Sequence, residues 1–358
     1  MLPHLFVSYI SSRRLVAVLL VAALSACGGS QRPMDVGGAV PQAPVTAARF
    51  APLARLETVV FDDDYSGDYE VYSAKLKWPQ RVYDAQANYA IALPHGMCAK
   101  YISYLVTSFT GSVTEVSFAG KLIGTLSDKG EDPESCAFDF GTGNVAVTNY
   151  STGDGKGDGS VYVYPSGSGK PTKYTKIGSP VMQHLLFATY DDKSDLFVDG
   201  TAAGGAPQID ELPNGATAFH ALNISAIPLR LPGALVWGGK RISVEDQQTT
   251  ADNSPANCVA EPKLGCAALY VTDHRGSKLV LHGAPIHFAQ TAFAYSLELG
   301  DCGGSGCSSV GVPNATGDGC TSGNPCIQFY EFNSGENTPR LELDVSALRS
   351  PYSIASSR

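Results

Sequence analysis

Between Cys136 and Thr175 apolar and polar residues alternate in four short runs, CAFDF, VAVTNY, VYVYP and TKYT. The segments between them are GTGN, STGDGKGDGS and SGSGKP. A period of two over such lengths predicts strands, and the Gly, Asn, Asp and Pro residues between them predict turns. The order is strand, turn, strand, glycine loop, strand, turn, strand, with no helical period anywhere.

The same unit recurs. The VAVTN strand, Val145–Asn149, has counterparts in TVVFD (Thr58–Asp62), YLVTS (Tyr104–Ser108), LFVDG (Leu196–Gly200), ISVED (Ile242–Asp246) and VGVPN (Val310–Asn314). Each copy has an apolar centre and ends in or beside a turn former. A second strand follows each copy: VYVYPSG (Val161–Gly167) matches IDELPNG (Ile209–Gly215) at its Pro and Gly. An opening strand with an early proline precedes most copies: PHGMCA at Pro94, PESCAF at Pro133, PVMQHLLFA at Pro180 and PGALVW at Pro232. TAFAYSLE at Thr291 fills this place in the last copy. The first copy has no opening strand, whereas PYSIAS (Pro351–Ser356) is spare at the other end. Repeats of about 50 residues built from short strands predict an all-β, six-bladed β-propeller closed by a C-terminal strand. A sandwich needs no sixfold echo, and β-helix repeats are shorter.

The N-terminal residues do not fit the repeat. Arg13 and Arg14 precede the apolar run LVAVLLVAAL, Leu15–Leu24, which is short for a membrane span and has the flanks of a signal peptide. Leu24-Ser25-Ala26-Cys27 resembles the lipobox of bacterial lipoproteins. That resemblance implies diacylation of the Cys27 thiol, export, and anchoring in the cell envelope. Gly28, where Asp would retain the protein at the inner membrane, points to the outer membrane. The expected organisation is a lipoprotein signal peptide over 1–26, a lipidated flexible tether over 27–48, and one propeller domain over 49–358.

Composition narrows the partners. The formal charge is −9, and loss of Arg13 and Arg14 with the leader makes the body more acidic still. No basic patch appears, which excludes nucleic acid as an expected partner. Peptides, proteins, neutral glycans or a cationic ligand remain. With Cys27 assigned to lipid, eight cysteines are left, an even number in an oxidising compartment. Cys258 and Cys266, Cys302 and Cys307, and Cys320 and Cys326 are expected to close local loops. Cys98 and Cys136 hold matching places in the opening strands of neighbouring blades and are expected to bond to each other. A zinc site would need closer cysteine spacing than the last two pairs offer.

The run GMCA…VTS…GK followed by P-x-x-CAFDFGTGNVAVTNY…VYVYP resembles the NHL-like six-bladed β-propeller lipoproteins of bacteria, over Thr58 to Ser356. The blades are also similar to gluconolactonase/senescence-marker-protein propellers. The second resemblance implies a divalent metal at the axis, held by Glu, Asn and Asp. Here the motif departs, with Asp132-Pro133-Glu134 where that family opens on Glu-Gly-Pro.

In a propeller the start of each first strand shares a face with the loop between the second and third strands. Loops 150–160, 201–208, 247–267 and 315–326 fall on that face and carry the insertions, so the face is expected to make contacts. His95, Glu134 and His184 are placed at the channel mouth on successive blades. They could wet a channel, bind a ligand, or hold a divalent metal. Other motifs fail. SGSGKPT lacks the first glycine of a phosphate loop, and DGKGDG has Lys156 at the third and Pro165 at the twelfth position of a calcium loop, so it reads as a hairpin loop. Neither H-E-x-x-H nor G-x-S-x-G occurs. Three functions follow: a membrane-tethered, non-enzymatic binding module without a cofactor, favoured by the anchor and the missing catalytic motifs; a metal-dependent hydrolase or lyase of lactonase type; and a structural envelope protein.

Overall fold

In the computed structural model the strands pair with their sequence neighbours, as the short turns dictate. The structure describes residues 57–62, 68–73, 79–84, 94–101, 103–108, 110–128, 131–152, 157–247, 267–288, 298–300, 309–314, 326–331, 341–344 and 351–356. The leader, Cys27 and the tether lie outside the described residues, as do Cys258, Cys266, Cys302, Cys307, Cys320 and most of loops 247–267 and 315–326. The described strands all belong to one compact unit, Leu53–Arg358.

The first three strands are β1 (Glu57–Asp62), β2 (Asp68–Ser73) and β3 (Pro79–Asp84). The next sheet holds β4 (Pro94–Ala99), β5 (Ser103–Ser108), β6 (Ser112–Ser117) and β7 (Leu122–Ser127). A third holds β8 (Glu131–Phe138), β9 (Val145–Thr152), β10 (Ser160–Tyr164) and β11 (Thr172–Thr175). A fourth holds β12 (Met182–Tyr190), β13 (Leu196–Ala202), β14 (Pro207–Leu212) and β15 (His220–Ala221). β16 (Pro232–Trp237), β17 (Ile242–Asp246), β18 (Ala268–His274) and β19 (Leu279–Leu281) follow, with β20 (Ile286–His287) pairing β18. The last consecutive set is β21 (Glu298–Gly300), β22 (Ser309–Asn314), β23 (Cys326–Glu331) and β24 (Leu341–Asp344). β25 (Pro351–Ser356) does not extend that set. It pairs antiparallel with β1, Val59 facing Ala355 and Val60 facing Ile354. Every named strand pairing is antiparallel.

Burial falls from the inner to the outer strands. All six residues of β5, all seven of β13 and all five of β17 are buried, whereas β7 and β11 are mostly exposed. A strand covered on both faces reads as a near-continuous apolar run, which is why the second strands carried the clearest echo. Val106, Val147, Val198 and Val244 are fully buried at equivalent places, opposite Met97, Cys136, Ala188 and Leu235 of the opening strands.

The cores lie between sheets rather than within them. Leu105 and Val113 pack on Cys136, Phe138 and Tyr164 of the next sheet. Ala146 and Val161 pack on Met182, Leu185 and Leu196. Phe197 and Ile209 pack on Leu235, Ile242 and Tyr270, and Leu269 and Phe288 on Val310, Val312 and Tyr330. β4 adjoins β8, β8 adjoins β12 and β12 adjoins β16, while β25 adjoins β4 on one side and β21 and β22 on the other.

Candidate functional site

Each of the opening strands β4, β8, β12 and β16 carries a bulge near its start. The bulge leaves one amide without its ladder partner, and a side chain from the second strand takes it. Thr107 Oγ1 accepts from the Gly96 amide at 2.7 Å, and Thr148 Oγ1 from Ser135 at 3.2 Å. Asp199 Oδ1 accepts from Phe187 at 2.8 Å, and Glu245 Oε2 from Ala234 at 3.2 Å. These four fill the position just before the turn former in VTS, VTN, VDG and VED. That recurring polar residue was visible in the repeat, though its partner was not.

The residue before each capped amide holds a fixed place at one end of the opening strand. In β4 it is His95 and in β8 it is Glu134. The two meet, with His95 Nδ1 2.9 Å from Glu134 Oε2 and both side chains largely buried, 13% and 4% exposed. β4 and β8 approach closely here because residue 96 is glycine; a Cβ would lie 2.4 Å from the Glu134 carbonyl oxygen. Asp199 is near enough for Glu134 to raise its pKa further, although burial is the larger cause and takes it well above the ordinary carboxylate range.

His184 does not join that pair. Counting from the capped Phe187 amide, the equivalent residue in β12 is Leu186, two positions further on. His184 instead stacks on Tyr150, ring centroids 4.1 Å apart and planes 9° from parallel. Tyr150 is 36% exposed. The 150–160 loop is drawn onto the same end of β12, where the Gly159 amide donates to the Gln183 carbonyl at 2.9 Å. Among the described residues no group of three His, Cys, Asp or Glu side chains is placed to hold a metal ion.

The expected disulfide is present: Cys98 and Cys136 are bonded, with Cα atoms 5.5 Å apart. It ties β4 to β8 one residue beyond register, since Met97 rather than Cys98 is the counterpart of Cys136. Cys326 is also in a disulfide.

The sequence reading did not anticipate a cavity at the opposite end of the same strands. Its volume is about 390 Å³, and its walls come from β4, β8, β12, β16 and the turns that leave them. The disulfide forms part of the wall, with Met97, Phe138, Phe140, Tyr190 and Trp237. Asp139, Asp191 and Asp192 stand where the chain leaves β8 and β12. Asp139 and Asp191 are buried and each accepts hydrogen bonds from its own turn. Burial, the largest influence, raises the pKa of Asp191, against the lowering effect of the Asp195 and Lys193 amides. The signal for this site lay in the Asp after the opening strands, in AFDFG and ATYDD, which reads by itself as turn chemistry.

No family model matches the chain, and no curated protein matches it. Among solved structures, a chain of the nidogen/laminin complex matches with a TM-score of 0.58 and 11% identity, over 84% of this chain and 98% of that one. A chain of the mitotic checkpoint complex matches with a TM-score of 0.48 and 15% identity, over 75% and 71%. The dihydro-heme d1 dehydrogenase NirN in complex with DHE matches with 0.46 and 12%, over 85% and 56%. At such identity the nidogen/laminin likeness carries the fold and nothing more: the described sheets are those of an all-β propeller.

Proposed function

We propose that the chain is an exported, lipid-anchored, six-bladed β-propeller that acts as a non-enzymatic binding module through its loop-rich face. The six sheets read as six blades, and β25, paired to β1, reads as the strand that closes the ring. The lipobox-like Leu24–Cys27 segment supports anchoring through Cys27, with the outer membrane as destination and loops 150–160, 201–208, 247–267 and 315–326 turned to the partner.

The observation that carries the binding reading is the Tyr150–His184 stack. A flat, partly exposed pair of rings at the start of β12, beside loop 150–160, is a platform for the apolar face of a sugar or a peptide side chain. The acidic body disfavours acidic ligands, so the partner class is a peptide, a protein segment or a neutral glycan. The His95–Glu134 pair lies largely buried and supports the framework of that face. It also favours the second reading, a lactonase-type hydrolase or lyase with a divalent metal, because an imidazole and a carboxylate are both ligand types. Elemental analysis of the purified chain separates the two. A metal-free protein that binds its partner supports the module; stoichiometric metal with lactone hydrolysis lost in a His95→Ala variant supports the enzyme.

A further inference from the structure

We infer that the cavity at the far ends of β4, β8, β12 and β16 binds a small organic cation: an ammonium or quaternary ammonium group on an apolar body. This site is separate from the Tyr150–His184 platform, and the inference does not rest on that platform's function.

The volume, about 390 Å³, is within the range of small-molecule sites. Its walls are aromatic and sulfur-rich, with Phe138, Phe140, Tyr190 and Trp237 beside the disulfide. Among the described residues three carboxylates line it, and no Lys, Arg or His does. A neutral polyol would lose water against such walls without gaining partners, and an anion would be repelled. An organic cation gains twice, from ring faces and from the carboxylate field.

The way the carboxylates are held separates an organic cation from a metal ion. Asp139 accepts from the Gly141 amide at 2.8 Å and from the Thr142 hydroxyl. Asp191 accepts from the Lys193 and Asp195 amides at 2.8 and 2.9 Å, and Asp192 from the Trp237 indole N–H at 3.0 Å. A hard divalent ion needs six or more free oxygens around it. Both oxygens of Asp139 and one each of Asp191 and Asp192 are already engaged, which leaves two carboxylate oxygens, too few for a coordination cage, while the carboxylates still act on the cavity through their field. The aromatic cluster already faces one cation of the protein's own: Lys100 Nζ lies 5.6 Å from the Phe138 ring centroid. Its charge is met by Glu115 at 2.9 Å, so it is already paired outside the cavity lining; Lys193, beside Asp191 but not in the lining, is the cation acting on that carboxylate.

The test is calorimetric titration of the full chain in detergent with choline and with its neutral carbon isostere, 3,3-dimethylbutan-1-ol. The expected result is choline binding about tenfold tighter than the isostere, the size of a desolvated cation–π contact with a nearby carboxylate. Asp192→Asn, at the more exposed rim, should remove most of that preference while leaving the isostere unchanged. Trp237→Phe should retain it in part and Trp237→Leu should lose it. Equal binding of the two probes, no saturable binding of choline, or an Asp192→Asn variant with the full preference would each overturn the inference.

Discussion

The carboxylate of Asp199 accepts the Phe187 amide at 2.8 Å, at the place where the two preceding sheets use hydroxyls. A hydroxyl there bonds twice. Thr107 Oγ1 also lies 3.0 Å from the Glu134 carbonyl and Thr148 Oγ1 2.6 Å from that of Leu186, both in the next sheet, so each links two sheets. Removing Thr148 as Thr148→Val keeps the shape but strands the Ser135 amide and the Leu186 carbonyl. A loss of about 1–3 kcal/mol is expected, read as a lower urea midpoint at unchanged slope. Thr148→Ser should recover most of it.

Asp199 makes only the first of these bonds, and burial raises its pKa well above the ordinary carboxylate range. It is fully buried, and its Oδ2 has no hydrogen-bond partner among the described residues. Asp128 is in a similar position: burial, and then the charge of Glu131, raise its pKa to about 7. Asp210 is raised to about 6, again chiefly by burial. All three bind a proton more tightly folded than unfolded. Stability is therefore highest at acid pH with respect to these groups and falls as pH rises from about 4 towards 7. Each contributes a loss of up to about 1.4 kcal/mol per pH unit inside its window. Asp128→Asn should flatten the slope of unfolding free energy between pH 4 and 7 and raise stability at pH 8. A variant that keeps the parent slope would show that Asp128 is ionised throughout.

The Cys98–Cys136 bond closes a loop with a sequence separation of 38 and pins β4 to β8 under the His95–Glu134 pair. A Cys98→Ala/Cys136→Ala chain should be less stable by about 2–4 kcal/mol. Because the bond also lines the cavity, choline affinity should fall with it. Chemical denaturation of both forms without reductant measures the first effect, and the titration described above the second.

Much of this architecture could be read from the chain. The strands β5, β9, β13, β17 and β22 stand where the repeat put them, because a strand buried on both faces keeps an apolar centre, and its one recurring polar residue repeats at a fixed place. The opening strands were harder. PVMQHLLFATY contains bulges between Met182 and His184 and between Leu185 and Ala188. Each bulge shifts the face a side chain meets, so an entry position read from the sequence grouped His184 with His95 and Glu134, where the backbone places Leu186. The cavity left almost no trace in the sequence. Its walls are drawn from four sheets far apart in the chain, and its aspartates look like ordinary turn residues.

If β25 closes the ring, truncation after Ala347 exposes an edge of β1 and the sides of β4 and β22 together. The truncated chain should aggregate or unfold without a cooperative transition. A melting curve like that of the full chain would mean that β25 contributes nothing to closure.

Binding at the loop-rich face is measured most directly on a printed array of neutral oligosaccharides and peptides, followed by titration of the strongest hit into the full chain and into Tyr150→Ala. The account predicts a metal-free protein whose affinity for that hit falls at least about tenfold in Tyr150→Ala, with the urea midpoint unchanged. Equal affinity in the variant would contradict it, as would stoichiometric metal accompanied by lactone hydrolysis that disappears in His95→Ala.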